Sequence, residues 1–141
     1  MSDTNAGMVE QLEVKTPGRG LHEITGRVAE VVRASGVERG LCTVFIRHTS
    51  ASLTIQENAD ASAKRDLESF AERLAPENEP WYTHTSEGPD DMPSHIRAAL
   101  TDVSLSVPVM GGELALGTWQ GVYVWEHRAR PRVRKVVVHV G

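Results

Sequence analysis

Apolar residues take every second position from Val103 through Leu105 and Val107 to Val109. Side chains of an extended chain point alternately to opposite faces, so this pattern describes a strand with one buried and one solvated face. Gly111-Gly112 then turns the chain, and Trp119–Trp125 and Val133–Val140 supply two further β-rich runs. Successive strands with short connections pair as an antiparallel meander, which commits the last third of the chain to β-structure.

Upstream, the pattern mixes. Val9–Val14 reads as a strand, followed by a turn at Pro17-Gly18. Ile24, Val28, Val31 and Val32 recur at helical spacing, which predicts a helix over His22–Ala34 with Thr25 as its cap and Gly36 as its stop. Leu41–Ile46 and Ala51–Gln56 read as strands of buried length. From about Asn58 to Leu74, the residues Ala59, Ala63, Leu67, Phe70 and Leu74 form one apolar stripe, and Pro76 closes the helix. Residues 75–92 form a long polar loop, and Pro93 opens a short helix to about Leu100. Mixed helices and hairpins with a terminal meander predict an α+β fold with a mainly antiparallel sheet and two to three helices. The 141 residues suit one domain, spanning 1–141 with residues 1–7 frayed.

Composition narrows the function. A net charge of −4 argues against non-specific nucleic-acid binding, which needs a basic surface. The one cysteine, Cys42, permits no intrachain disulfide and no cysteine-rich zinc site, and it reads as a small buried hydrophobe. The polar, acidic opening MSDTNAGMVEQ lacks the features of a signal peptide, and no apolar run approaches the ~20 residues of a membrane span. The expectation is a soluble cytoplasmic protein with neither membrane nor nucleic-acid partners.

Polar groups concentrate in four places that a plain core does not need: His48–Ser52 with Gln56-Glu57-Asn58 beyond it, His84–His95, Gly117–Gln120, and Glu126-His127-Arg128. Histidine is the commonest metal ligand, and catalytic zinc sites take three protein ligands with one open position. His48, His84, His95 and His127 are the candidates. His84 and His95 flank a glycine-containing turn that can fold them together, with Glu87, Asp90 and Asp91 between them as orienters or a general base. Simpler roles stand beside these. Asp91 can cap the helix that Pro93 opens, Glu57 can be a favourable charge near a helix N-terminus, and Trp119 can be a core aromatic. The helix start at Pro93-Ser94-His95 offers free N–H groups to an anion, against the charge of the two aspartates before it. Arg128, Arg130, Arg132 and Arg134 alternate, either as a phosphate- or nucleic-acid-binding stripe or as a solvated hairpin turn around Pro131; the second reading is preferred except at Arg128.

Three stretches together resemble one family. They are His48-Thr49-Ser50-Ala51-Ser52-Leu53-Thr54 with Glu57-Asn58, then Glu87-Gly88-Pro89-Asp90-Asp91-Met92-Pro93-Ser94-His95-Ile96, and then the run from Ser104 through Gly117-Thr118-Trp119-Gln120-Gly121-Val122 to Glu126-His127-Arg128. In these the chain resembles the secondary thiamine-phosphate synthase (YjbQ-like) family, departing at Pro89, where alanine is usual. The resemblance implies a compact α+β domain with a β-sandwich-like core. It also implies a homotrimer with a polar pocket near the subunit interface, and a bound divalent metal, zinc. It assigns His48, His84 and His95 as first-choice ligands with His127 in reserve. Glu57, Asp90, Asp91 and Glu126 become acid–base or orienting groups, and Arg128 a phosphate contact. The implied activity joins an aminopyrimidine pyrophosphate to a thiazole phosphate, as a possible side reaction of another main role. Metal-dependent hydrolysis of a phosphorylated small molecule, or a non-enzymatic metal- or ligand-binding trimer, are the alternatives.

Overall fold

The computed structural model describes residues 7–141, so the fraying expected for residues 1–7 lies, Gly7 apart, outside the described residues. In chain order the elements are β1 (Met8–Thr16), β2 (Gly20–Glu23), α1 (Thr25–Ser35), β3 (Arg39–Ile46), β4 (Ala51–Glu57), α2 (Ala61–Leu74), α3 (Asp91–Ala99), β5 (Ser104–Met110), β6 (Glu113–Leu114), β7 (Gln120–Glu126) and β8 (Arg132–Val140). Five strands pair in the order β1-β8-β3-β5-β6 and three in the order β2-β7-β4. Every pairing is antiparallel, as the meander pattern requires.

The core lies between the two sheets. Val44, Ile46, Val109, Val136 and Val138 of the large sheet meet Leu53, Val122 and Val124 of the small one, and α1 adds Val28, Val31 and Val32. On the far side of the small sheet, Leu21, Tyr123 and Trp125 pack under Leu67 and Ala71 of α2. Strand β7 is therefore covered on both faces, and its residues from Gly121 to Glu126 are all buried. That double burial explains why β7 reads as a continuous run instead of an alternation.

All three helix starts differ from the sequence expectation, α3 beginning at Asp91, two residues ahead of Pro93. His22 lies in β2, opposite Val124, and α1 begins at Thr25. Thr25 is not the cap. Its hydroxyl donates to Glu23 Oε2 and accepts the Val122 N–H, both at 2.8 Å, so the sheet claims the side chain that the helix start was expected to use. Gly36 does stop α1, at φ 70°. Helix α2 starts at Ala61, capped by Asp60, whose Oδ1 accepts the Ser62 N–H at 2.9 Å. Its buried side is also rotated from the expected stripe. Phe70 and Leu74 are exposed while Ala71 is buried. On the side that faces the sheet, Leu67 and Ala71 pack against Leu21, Tyr123 and Trp125, and the Glu68 carboxylate accepts the Leu21 N–H at 2.8 Å. Trp119 is likewise no core aromatic, being 64 % exposed. No helix among the described residues is long and apolar enough to cross a membrane.

Candidate metal centre

Helix α3 sets the site. Asp91 and His95 are four residues apart on it, hence on one face, with His95 Nε2 3.3 Å from Asp91 Oδ1. The preceding loop brings in His84, whose Nε2 lies 2.9 Å from Asp91 Oδ2. The two imidazoles meet edge to face with centroids 5.1 Å apart. One ligand atom from each of the three residues lies within 4.8 Å of the others.

The chemistry of these contacts suits a cation. His95 Nδ1 is 3.1 Å from the Thr49 carbonyl, which can only accept, so Nδ1 carries the proton. In the neutral form of the ring, Nε2 then points its lone pair at a carboxylate oxygen. Two lone pairs at that separation repel unless a proton or a cation lies between them. Asp91 is only 2 % exposed, and its Oδ2 accepts no well-directed hydrogen bond; the polar group that faces it is His84 Nε2, at 2.9 Å. A buried carboxylate needs a proton donor or a cation at its oxygens, and two histidine nitrogens beside this one make a ligand set typical of divalent metals. His84, Asp91 and His95 thus fit such an ion, and two histidines with one carboxylate leave positions for a further ligand.

Arg128, just beyond β7, holds this arrangement. Its Nη1 donates to Asp91 Oδ1 at 2.9 Å, its Nε to Asp90 Oδ2 at 3.0 Å and its Nη2 to the Glu87 carbonyl at 2.9 Å. The Ala129 N–H adds a bond to Asp90 Oδ2 at 2.9 Å. Burial alone would raise the Asp90 carboxyl, but these bonds outweigh it and hold it below the usual carboxylate range. Gly88 shapes the same loop at φ 107°, where an added Cβ would stand 3.2 Å from Asp90 Oδ1. The sequence offered Asp91 as a helix cap, yet the residue before α3 is Asp90, and no side chain caps the helix. Arg128 was expected to contact phosphate; its guanidinium is instead the clamp that positions Asp90 and Asp91.

The other candidate residues are placed elsewhere. The Lys135 N–H donates to His48 Nε2 at 2.8 Å and Arg134 Nη1 stands 3.2 Å from Nδ1, so the single lone pair of the neutral ring is already engaged. Burial and then the Arg134 charge lower its pKa, keeping it neutral. His127 is buried with Nε2 2.9 Å from Ser52 Oγ, and burial, reinforced by Arg97, pushes it down to about 3. Glu126 is fully buried and accepts from Thr16 Oγ1 at 2.6 Å, the Arg128 N–H at 3.0 Å, and Arg134 through Nε at 2.7 Å and through Nη2. Burial would raise its carboxyl, but the Arg134 and Thr16 bonds outweigh that and lower it. Glu57 accepts the Asp60 N–H ahead of α2, in line with the charge-at-a-helix-start reading. It pairs with Gln120 at the far end of β4 from Ala51, which pairs with Glu126; seven residues of strand separate the two ends by about 20 Å.

Arg134 is the residue that sequence reasoning missed, since the alternating arginines grouped it with a solvated turn. A signal was available. Arg134 shares parity with Val136, Val138 and Val140, so it points to the same buried face of β8.

The chain is 55% identical to the UPF0047 protein sll1880 of Synechocystis sp., over 93% of this chain and 89% of that protein. It is 44% identical to the UPF0047 protein YjbQ of Salmonella typhimurium, over 84% and 86%. Among solved structures, the hypothetical protein APE1520 from Aeropyrum pernix superposes with a TM-score of 0.86 at 28% identity, covering 95% of this chain and 98% of that one. The conserved hypothetical protein TT1486 from Thermus thermophilus gives 0.83 at 37% identity, over 94% and 99%. With the family's sequence pattern matched over residues 10–141, the chain belongs to the UPF0047 protein YjbQ-like family.

Proposed function

We propose that the chain holds a divalent metal ion, zinc, on His84, Asp91 and His95, and acts there on a small phosphorylated molecule. The observation that carries this reading is the buried Asp91 carboxylate, with an imidazole nitrogen turned to each of its two oxygens. When bound, such an ion supplies positive charge where a departing pyrophosphate develops negative charge. The protein's own part is orientation. Arg128 fixes Asp91, and the Thr49 carbonyl fixes the tautomer of His95.

Clefts flank the cluster. One of about 300 Å³ runs between His84, Tyr82, Thr85 and Met92. Another of about 370 Å³ is lined by Asp90, Arg128, Arg130 and Arg132. With Arg128 engaged by the aspartates, Arg130 and Arg132 take over the phosphate-binding part, and Arg132 Nε is buried without a partner. Thiamine-phosphate synthase-like transfer, implied by the sequence resemblance, is the reaction we assign: its leaving group is pyrophosphate, which suits a cation beside arginines. We place it in the cytoplasm and in a homotrimer. In support, the outer face of the large sheet leaves the apolar side chains of Val9, Leu41, Phe45 and Met110 exposed, which a subunit interface would cover.

Metal analysis of untagged protein tests the reading. The parent should carry near-stoichiometric metal, and His84→Ala, altering a half-exposed side chain, should lose it with the fold intact. Thiamine phosphate should form from the two precursors in the parent only. A parent that binds no zinc on titration ends the proposal, and a metal-loaded parent inert toward both precursors ends its reaction. Light scattering tests the trimer, and a monomer refutes it.

A further inference from the structure

A second cavity, of about 260 Å³, opens between α2 and the small sheet. It shares no lining residue with the metal cluster. We infer that it binds a small organic anion, a carboxylate or phosphate ester carried on a flat ring, with Arg97 and Arg65 meeting the charge and Trp125 and His127 meeting the ring.

Arg97 is the strongest argument. It lines the cavity and is 3 % exposed, yet no carboxylate pairs with it among the described residues. Its Nε donates to the Ala71 carbonyl and its Nη2 to the Ala75 carbonyl, both at 2.8 Å, which secures the end of α2. Those acceptors carry no full charge, and Nη1 is buried with no partner at all. A guanidinium taken out of water without a counter-ion is strongly unfavourable. An anion is what the position lacks.

The rest of the lining agrees. Arg65 lines the cavity and also pairs with no carboxylate among the described residues. The cavity's acids are already engaged: Glu72 by Arg19 at 3.3 Å, and Glu68 by the Leu21 N–H at 2.8 Å. Arg97 and Arg65 therefore leave net positive charge in the cleft. The wall is aromatic. Trp125 and His127 stand with ring centroids 5.5 Å apart, and the imidazole stays neutral, so it offers a flat apolar face instead of a competing cation. The volume lies just below the range that holds drug-sized ligands, which selects a small metabolite.

Calorimetric titration of the full chain as purified tests this, with phenyl phosphate, benzoate and inorganic phosphate as probes. Phenyl phosphate or benzoate should bind saturably and more tightly than inorganic phosphate. Arg65→Gln, at an exposed position, should weaken that binding about tenfold or more, the size of a lost charge-assisted bond. Arg97→Met should abolish it, and its circular dichroism reports whether α2 survives; should it not, Arg65→Gln alone decides. His84→Ala should bind as the parent does. No saturable binding, binding indifferent to Arg65→Gln, or binding lost in His84→Ala each overturns the site. Inorganic phosphate binding as tightly as phenyl phosphate overturns the role given to the aromatic wall.

Discussion

Replacing Glu126 by alanine tests how the two sheets are tied together. The carboxylate is fully buried, and its partner Arg134 is 4 % exposed. Remove the carboxylate, and the guanidinium keeps only neutral partners, His48 and Ser50. Breaking one side of a buried pair costs about 3–5 kcal/mol, because the surviving charge stays buried without its counter-ion. Against a total stability of about 5–15 kcal/mol, that is a large fraction. With a urea slope of about 1–3 kcal/mol per molar, the unfolding midpoint of Glu126→Ala should fall by about 2 M. The double variant Glu126→Leu/Arg134→Met removes both charges and keeps apolar volume, so its cost should fall well below the sum of the singles and reflect chiefly the Thr16 hydroxyl and Arg128 N–H that lose their acceptor. Urea unfolding followed by circular dichroism on the parent, both singles and the double measures the coupling. A Glu126→Ala cost under about 1 kcal/mol, or a double variant as unstable as the sum of the singles, would refute the buried-pair reasoning.

Acid should act through His127. Its folded value near 3 lies below the ordinary 6.5, so between those values the unfolded chain binds the extra proton. Stability from this group is fully present above about pH 6.5 and declines toward pH 3 by at most about 1.4 kcal/mol per pH unit. Urea unfolding of the parent minus that of His127→Asn should show this slope between pH 6 and 4, and a flat difference contradicts it. Glu126, held below its ordinary value, adds a loss of stability as pH falls under about 4.5. Arg128→Ala should weaken zinc binding about 10- to 100-fold by releasing Asp91, and unchanged affinity would return Arg128 to a remote role. Gly88→Ala should cost about 1–3 kcal/mol, given its positive φ and the proximity of Asp90, as read by thermal unfolding. Cys42, buried and with its thiol pushed up to about 11, should resist thiol reagents until the protein unfolds.

Sequence alone determined the features that depend on local periodicity. The alternation of Val103 to Val109 specified β5, the run Val133–Val140 specified β8, and Pro76 and Gly36 marked helix ends that the structure keeps. Two of the four histidine candidates, His84 and His95, were also legible as neighbours, because a glycine-containing turn between them can fold them together. What the sequence could not decide was which side chain answers which. His48 and Arg134 are 86 positions apart, and Arg128 and Asp91 are 37 apart. Only sheet pairing and helix docking set such neighbours. The same holds for α2, whose buried side, with Leu67 and Ala71 on the small sheet and Glu68 bonded to the backbone of β2, is not the whole of the apparent apolar stripe. Periodicity reports which faces can be buried; the tertiary structure decides which charges those faces enclose, and so where a metal or an anion has a place to bind.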